Sequence, residues 1–471
     1  MRAYSVMAWL LVLALLAACG DDSGGGGVGT APDLMTDRDG GGDGDNGDGD
    51  GDGDAEPWVA PCEAPDGIVG GCGVCEELIF DLAMTDDTPR TLPLGMNRVK
   101  SRAGFVHVGE SSGCVDALYV ADVDGDAFMA EQPEAVNAID NCHLFSEPAI
   151  AHAQDEAWLL AFVSNEDGNH VRAQVFDAEG ELSNDGFRLS EDAVRPANVA
   201  VTVVGDNRRM VAWTEGIGQG TTVYARPVDG TGEPLGDVQT VANFPESVGS
   251  MALAQLGKEA DDHEPSGAVI TLWRLGVDVS EIVVIPLDLE GVPKAGERIV
   301  RNNAGDAANV AVAYNDRHAV GADLSAAAIA YTVSQSGGQQ MWFELLDNDA
   351  NIGPLWDNTG RALGPSAPNR VINSPARATG VSVARYAQGY IVIYRAMPGG
   401  LLNEPKIRAV LLNRTGGFIV DSDVAYTTEF GGPTAVVTGS DGRMFAAWSE
   451  ISGSGIATYK VVRLPCPMQP R

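Results

Sequence analysis

The chain has 471 residues, with 66 acidic against 30 basic side chains and a formal net charge of −36. Phosphate backbones and anionic lipid surfaces are repelled by such a balance, which excludes nucleic acid as a partner. Its length and its 44% share of hydrophobic residues are ample for a large buried core.

The first element is an apolar run, Val6 to Ala18, behind a short N-terminus whose only basic side chain is Arg2. A bilayer span needs about 20 apolar residues, so this run is too short to cross. Its length and flanks are those of a secretory signal. Leu16-Ala17-Ala18-Cys19 resembles the lipobox of bacterial lipoproteins. The resemblance implies that residues 1–18 are a signal peptide, that Cys19 becomes the new N-terminus, and that its thiol is acylated. In that class an aspartate directly after the cysteine retains the protein in the inner membrane. Here the position is Gly20, which implies an exported protein held by lipid in the outer membrane.

Residues 19–57 form the next segment, the lipidated cysteine and a spacer, and Asp39 to Asp54 reads DGGGDGDNGDGDGDGD. Such a composition buries no apolar surface and is expected to stay disordered, with a coil span of about 35 Å. Alternating aspartates also occur in calcium loops, but an EF-hand loop starting at Asp48 would need glutamate where Val59 stands. Residues 20–56 hold 12 acids and one base, and beyond them 54 acids face 28 bases. The remainder is therefore strongly acidic in its own right.

Residues 58–471 are expected to be one all-β domain. Setting Cys19 aside for lipid leaves six cysteines, Cys62, Cys72, Cys75, Cys114, Cys142 and Cys466, enough for three disulfides in an oxidising compartment. Cys72-Gly-Val-Cys75 lacks both the βαβ setting of a redox pair and the second ligand pair of a common zinc site. Gly109-Glu-Ser-Ser-Gly113 matches a nucleophile-elbow pattern around Ser111, yet a strand rather than a helix is expected after it. Asp122, Asp124 and Asp126 place three carboxylates on one hairpin loop, the better calcium candidate; an acidic turn is the plain alternative. No other cofactor is implied.

From residue 97 onward a repeat emerges. Apolar runs ending in an aromatic recur as AWLLAF (to Phe162), MVAW (to Trp213), VITLW (to Trp273), AAIAY (to Tyr331), YIVIY (to Tyr394) and MFAAW (to Trp448), and GFVH ending at His107 fits the same column. Asp122, Asp177, Asp229, Asp288, Asp347 and Asn413 follow the first six of these ends by 15, 15, 16, 15, 16 and 19 residues. Most open an Asp-x-x-Gly turn, in which Asp bonds its own backbone and Gly supplies positive φ. A strand precedes each run and another follows each turn. Four antiparallel strands in units of 51–63 residues point to a β-propeller of about seven four-stranded blades. The aromatic column is read as core, because the runs are apolar on consecutive residues, as blades stacked face to face require.

After Trp448 there is room for only one more strand, so the last blade should be closed by a strand from Leu78 to Gly95. A bridge from Cys466 to Cys72 or Cys75 would lock that closure and Cys114–Cys142 would staple the first blade, although six cysteines permit fifteen pairings. The repeat resembles bacterial propeller lipoproteins and, loosely, sialidase-like and WD40-like propellers. That resemblance implies a membrane-anchored module binding a protein or glycan through its loops. The alternatives are a glycan-active hydrolase or lyase with an acidic site at the channel mouth, or a structural part of an envelope assembly.

Overall fold

The computed structural model describes residues 76–85, 94–97, 102–108 and 115–121, and residues 148–464 apart from connecting segments such as 315–326 and 353–368. The chain divides into two units, Met1–Trp58 and Val59–Arg471, and every described residue lies in the second. Among the described residues the helices and strands reduce to β-strands alone.

Strand β1 (Glu76–Thr85) comes first. A three-stranded sheet follows, made of β2 (Leu94–Asn97), β3 (Arg102–Val108) and β4 (Val115–Ala121). The next sheet holds β5 (Ala149–His152), β6 (Trp158–Ser164), β7 (His170–Phe176) and β8 (Phe187–Arg188). It is followed by β9 (Pro196–Gly205), β10 (Arg208–Glu215), β11 (Thr221–Val228) and β12 (Gln239–Phe244). Then come β13 (Ser247–Lys258), β14 (Pro265–Leu275), β15 (Ser280–Leu287) and β16 (Arg298–Asn302). The fourth such sheet is β17 (Val310–Tyr314), β18 (Ala327–Gln335), β19 (Gly338–Leu346) and β20 (Asn369–Arg370). The fifth is β21 (Arg377–Tyr386), β22 (Gly389–Met397), β23 (Lys406–Asn413) and β24 (Phe418–Tyr426). The chain ends its regular structure with β25 (Thr434–Thr438), β26 (Met444–Ile451) and β27 (Ile456–Leu464).

The first strands of these sheets stand side by side. β2 neighbours β5, then β9, β13, β17, β21 and β25 follow in turn, and β25 neighbours β2 again. A succession that returns to its start is a ring of inner strands with sheets radiating outward, the arrangement of a β-propeller. Six of the sheets are four-stranded, which corrects the expectation of about seven four-stranded blades. The sheet of β2–β4 has three strands among the described residues, which Asp122 lies outside.

The sixth four-stranded sheet is completed from the other end of the chain. β1 pairs antiparallel with β27, Glu76 opposite Arg463 and Thr85 opposite Ile456, with a register shift between Phe80 and Met84. The sheet therefore runs β25, β26, β27, β1.

The second strands β6, β10, β14, β18, β22 and β26 are buried on both faces, seven of seven residues in β6 and eight of nine in β22. This is why those segments read as unbroken apolar runs and not as alternation. The core is divided by seam. One cluster joins the β5–β8 sheet to Val199, Val211 and Trp213 of the next, and four more join each following pair of sheets up to β25–β27.

The turns between third and fourth strands repeat one hydrogen-bond pattern. Asp288 Oδ1 accepts from the backbone N–H of Glu290 and Val292 at 3.0 and 2.8 Å, and the Gly291 N–H donates to the Asp288 carbonyl at 3.2 Å. Asp229 and Asp347 use their carboxylates in the same way. Asn413 does so with its amide oxygen, accepting from Gly417 N–H at 2.7 Å. The fourth turn position is left-handed, with φ of 87° at Gly232 and 83° at Gly291. At Gly291 an added Cβ would also meet Met210 Sδ of the preceding sheet at 3.3 Å. Turn and seam thus select glycine together.

Two outcomes test this account. Asp288→Ala should cost about 2 kcal/mol in urea unfolding, for two lost bonds to backbone, while Asp288→Asn stays within about 0.5 kcal/mol. A chain lacking residues 1–85 should melt at least about 10 °C lower by calorimetry, because it exposes the edge of β27.

Candidate functional site

Inner strands line the axis of a propeller, and here they are built mostly from small residues, with Lys258, Arg377 and Arg385 as their charged residues. PANVAVTVVG of β9, VAVAY of β17 and TAVVT of β25 are typical. Among all the inner strands β2, β5, β9, β13, β17, β21 and β25 there is no aspartate or glutamate, in a chain with 66 acids. An acidic site at the channel mouth would therefore have to be assembled from connections.

The aromatic column is core, as the apolar runs imply. Trp213, Tyr331, Tyr394 and Trp448 are fully buried and Trp273 is 8% exposed. Trp213 Nε1 donates to Glu215 Oε1 at 2.9 Å, and Trp448 Nε1 to Glu450 Oε1 at 3.0 Å. The column does not keep to one face, however. Trp213, Tyr331, Tyr394 and Trp448 pack against the preceding sheet, while Trp273 packs against the following one. The register explains this. Trp273 pairs with Ile282, six residues before its turn aspartate; Trp213, Tyr331 and Tyr394 pair with Tyr224, Trp342 and Arg408, each five before theirs. A slip of one residue sends a side chain to the opposite face.

Buried cations fasten the seams. Arg209, 1% exposed, donates to the carbonyls of His152 and Ala153 in the preceding sheet. Arg395, fully buried, donates to Thr427 Oγ1 at 3.0 Å and to the Ser449 carbonyl of the following sheet. Burial pushes its guanidinium down to about 10, with Glu450 pulling back, so it stays charged at neutral pH. Thr434 Oγ1 donates to the Gly380 carbonyl across the same seam, and Asn198 Nδ2 reaches the Val248 carbonyl at 3.2 Å in another.

The seam between the β13–β16 and β17–β20 sheets carries different chemistry. Tyr331 Oη donates to Glu344 Oε1, with the tyrosine fully buried and the glutamate 2% exposed. Arg301 of β16 lies over the Trp342 ring at 4.5 Å. Burial raises the Glu344 carboxyl to about 7, opposed by the Tyr331 bond and the Arg301 charge. Burial, and then the Glu344 charge, also holds the Tyr331 hydroxyl well above its ordinary value, so it remains neutral. The pair can hold and release one proton near neutrality. It supplies one carboxyl where glycosidic cleavage by the common mechanism uses two, and neither group is open to a substrate.

The remaining described ion pairs lie between strands or tie a strand to a connection, as Arg208 does with Glu290. Arg274 serves Glu281, Glu297 and Glu246, stacked over Phe244 at 5.2 Å. Arg408 bridges Asp421 and Asp423. Among the described residues no group of three or more His, Cys, Asp or Glu is placed to hold a metal ion. Cys19, Cys62, Cys72, Cys75, Cys114, Cys142, Cys466, Ser111, Asp122, Asp124 and Asp126 all lie outside the described residues. Glu344 and Arg395 had a signal in sequence, a lone charge inside MWFELL and YIVIYRAM. The column reading passed over both.

No protein-family model and no curated protein matches this chain. Its fold is similar to that of a polysaccharide lyase described as an ulvan lyase, at TM-score 0.46 and 9% identity over 82% of this chain and 96% of that one. A protein of unknown function from Dyadobacter fermentans aligns at TM-score 0.40 and 10% identity, over 68% of this chain and 94% of that one. The WD40 domain of SCAP from fission yeast aligns at TM-score 0.37 and 13% identity, over 80% and 85% of the two chains. The propeller assignment itself stands on the strand order and the closed ring of inner strands.

The Glu344 carboxyl gives a signed prediction. Its folded value, about 7, lies above the ordinary 4.5, so between these pH values the folded state keeps a proton that the unfolded chain has released. Stability from this group is full below the ordinary value and is lost as pH rises through about 7. Urea unfolding should show a decline of up to about 3 kcal/mol from pH 4.5 to pH 8, and Glu344→Gln should flatten that part of the profile.

Proposed function

We propose that this protein is an exported propeller, tethered by lipid at Cys19, that binds a protein or glycan partner through the connections at the ends of its sheets. One observation carries the reading: the inner strands β2, β5, β9, β13, β17, β21 and β25 carry no aspartate or glutamate, while buried arginines bind sheet to sheet and ion pairs such as Arg408 with Asp421 bind strand to strand. A frame committed in this way leaves recognition to its loops, which differ from sheet to sheet. The second-to-third-strand connection is two residues, 336–337, in one sheet and eight, 398–405, in the next. Variable loops on a rigid frame are the usual seat of binding. The spacer after Cys19 leaves the module free to orient on its membrane, and calcium held by Asp122, Asp124 and Asp126 is a dependent proposal.

Thermal melting of the purified protein against a panel of glycans, envelope proteins and calcium tests this. A ligand that binds only the folded state should add about 2.7 kcal/mol at a hundredfold excess over its Kd, and the panel glycan should be recovered unchanged by mass spectrometry. Shortened or unsaturated products would replace this reading with a hydrolase or lyase. A shift on calcium addition that is lost in Asp124→Ala would support the metal site.

A further inference from the structure

Six large apolar side chains are exposed among the described residues: Leu182, Leu235, Val292, Ile299, Phe418 and Ile419, at 37–60%. All six fall between a third and a fourth strand, or within the first two residues of a fourth strand. They come from four different sheets. These connections are tied to one another. Asn184, between β7 and β8, donates to the Thr231 carbonyl in the turn of the next sheet at 2.9 Å. Arg208 reaches the Leu289 carbonyl in the turn after that, also at 2.9 Å. Ile299 pairs opposite Val283 in mid-strand, whereas Leu182, Leu235, Val292, Phe418 and Ile419 lie where third strands finish, Phe418 opposite Leu412, and so share one rim.

The N-terminal chain leaves from the same rim. Glu76 starts β1 opposite Arg463, one residue from the end of the third strand β27, so the 75 residues ahead of β1 depart where third strands finish. That stretch includes the apolar run Val6 to Ala18 and the lipobox cysteine Cys19.

We propose that this rim is a membrane-docking face, laid on the bilayer that holds the anchor, with Phe418 and Leu235 as its principal contacts. The proposal rests on the lipid-anchor reading. Apolar points on four separate sheets along one rim suit a flat partner, which meets them all at once, better than a compact one. The tether makes the encounter intramolecular, since a coil from Cys19 to Glu76 spans about 40 Å, and even shallow insertion then suffices. Charge selects the lipid. Glu290 is paired with Arg208, but the same connections expose Asp185, Glu233, Asp237 and Asp349 against Lys294, so the partner is a zwitterionic surface and not an anionic one.

The test is hydroxyl-radical footprinting of the full lipidated chain on phosphatidylcholine vesicles, compared with the same chain released by cutting the 20–56 spacer. Burying one such side chain shifts the docked-to-free ratio about tenfold, so oxidation of Phe418 and Leu235 should fall by that order on vesicles. Met397, at the far end of β22 from the turn end of its sheet, should be unchanged. The double variant Phe418→Ser, Leu235→Ser should restore oxidation at Leu182, and phosphatidylglycerol in the vesicles should weaken protection. Flotation with the vesicles but no protection at Phe418 overturns the docking face alone. Failure to float overturns the anchor reading and the docking face with it. Protection that persists after release and grows with protein concentration assigns the rim to a second copy of the chain, and also overturns the proposal.

Discussion

The backbone ladder between β1 and β27 is the constraint on which the ring depends. Without it the last sheet has three strands, a bare outer edge and a junction held only by inner-strand neighbours. With it, one of the first described segments of the chain is fixed to the last, and a row of sheets becomes a closed circle. Closure also sets the energetics of the rest. Each sheet stacks on two neighbours, so its second strand is dry on both faces and its apolar residues need not alternate.

Stacking sheets in a ring places polar backbone where water cannot reach it, and the protein meets that cost with side chains that cross from sheet to sheet. Arg209 and Arg395 donate to backbone carbonyls of a neighbouring sheet, and Thr434 and Asn198 do so with neutral groups. Arginine suits the role because it stays charged despite burial. Glu344 is the exception, an acid set in a dry seam whose charge depends on pH. The seam between the β13–β16 and β17–β20 sheets thus contains a buried carboxyl held near neutrality.

Much of the frame was legible in the sequence because it rests on local rules repeated many times. The Asp-x-x-Gly turns announced the ends of third strands, and the hydrogen bonds of Asp229, Asp288 and Asp347 show why those residues recur. The aromatic column marked the second strands, and the shortage of chain after Trp448 foretold closure from the N-terminus. What sequence could not show was register. Trp273 sits in the column yet faces the other way, since a slip of one residue in pairing leaves no trace in spacing that already varies by loop length. Seam chemistry was hidden for a related reason: Glu344 and Tyr331 become partners through pairing across two strands, not through proximity in the chain. The loops expected to carry function gave the weakest signal, because recognition by connections has no period.

The pairing of β1 with β27 also has a meaning in time. A ribosome makes the first of these strands long before the second, and nearly the whole domain is threaded out between them. The ring cannot finish until its last residues arrive, however early the intermediate sheets form. The strand that seals the last sheet is thus among the first to be made and among the last to find its partner.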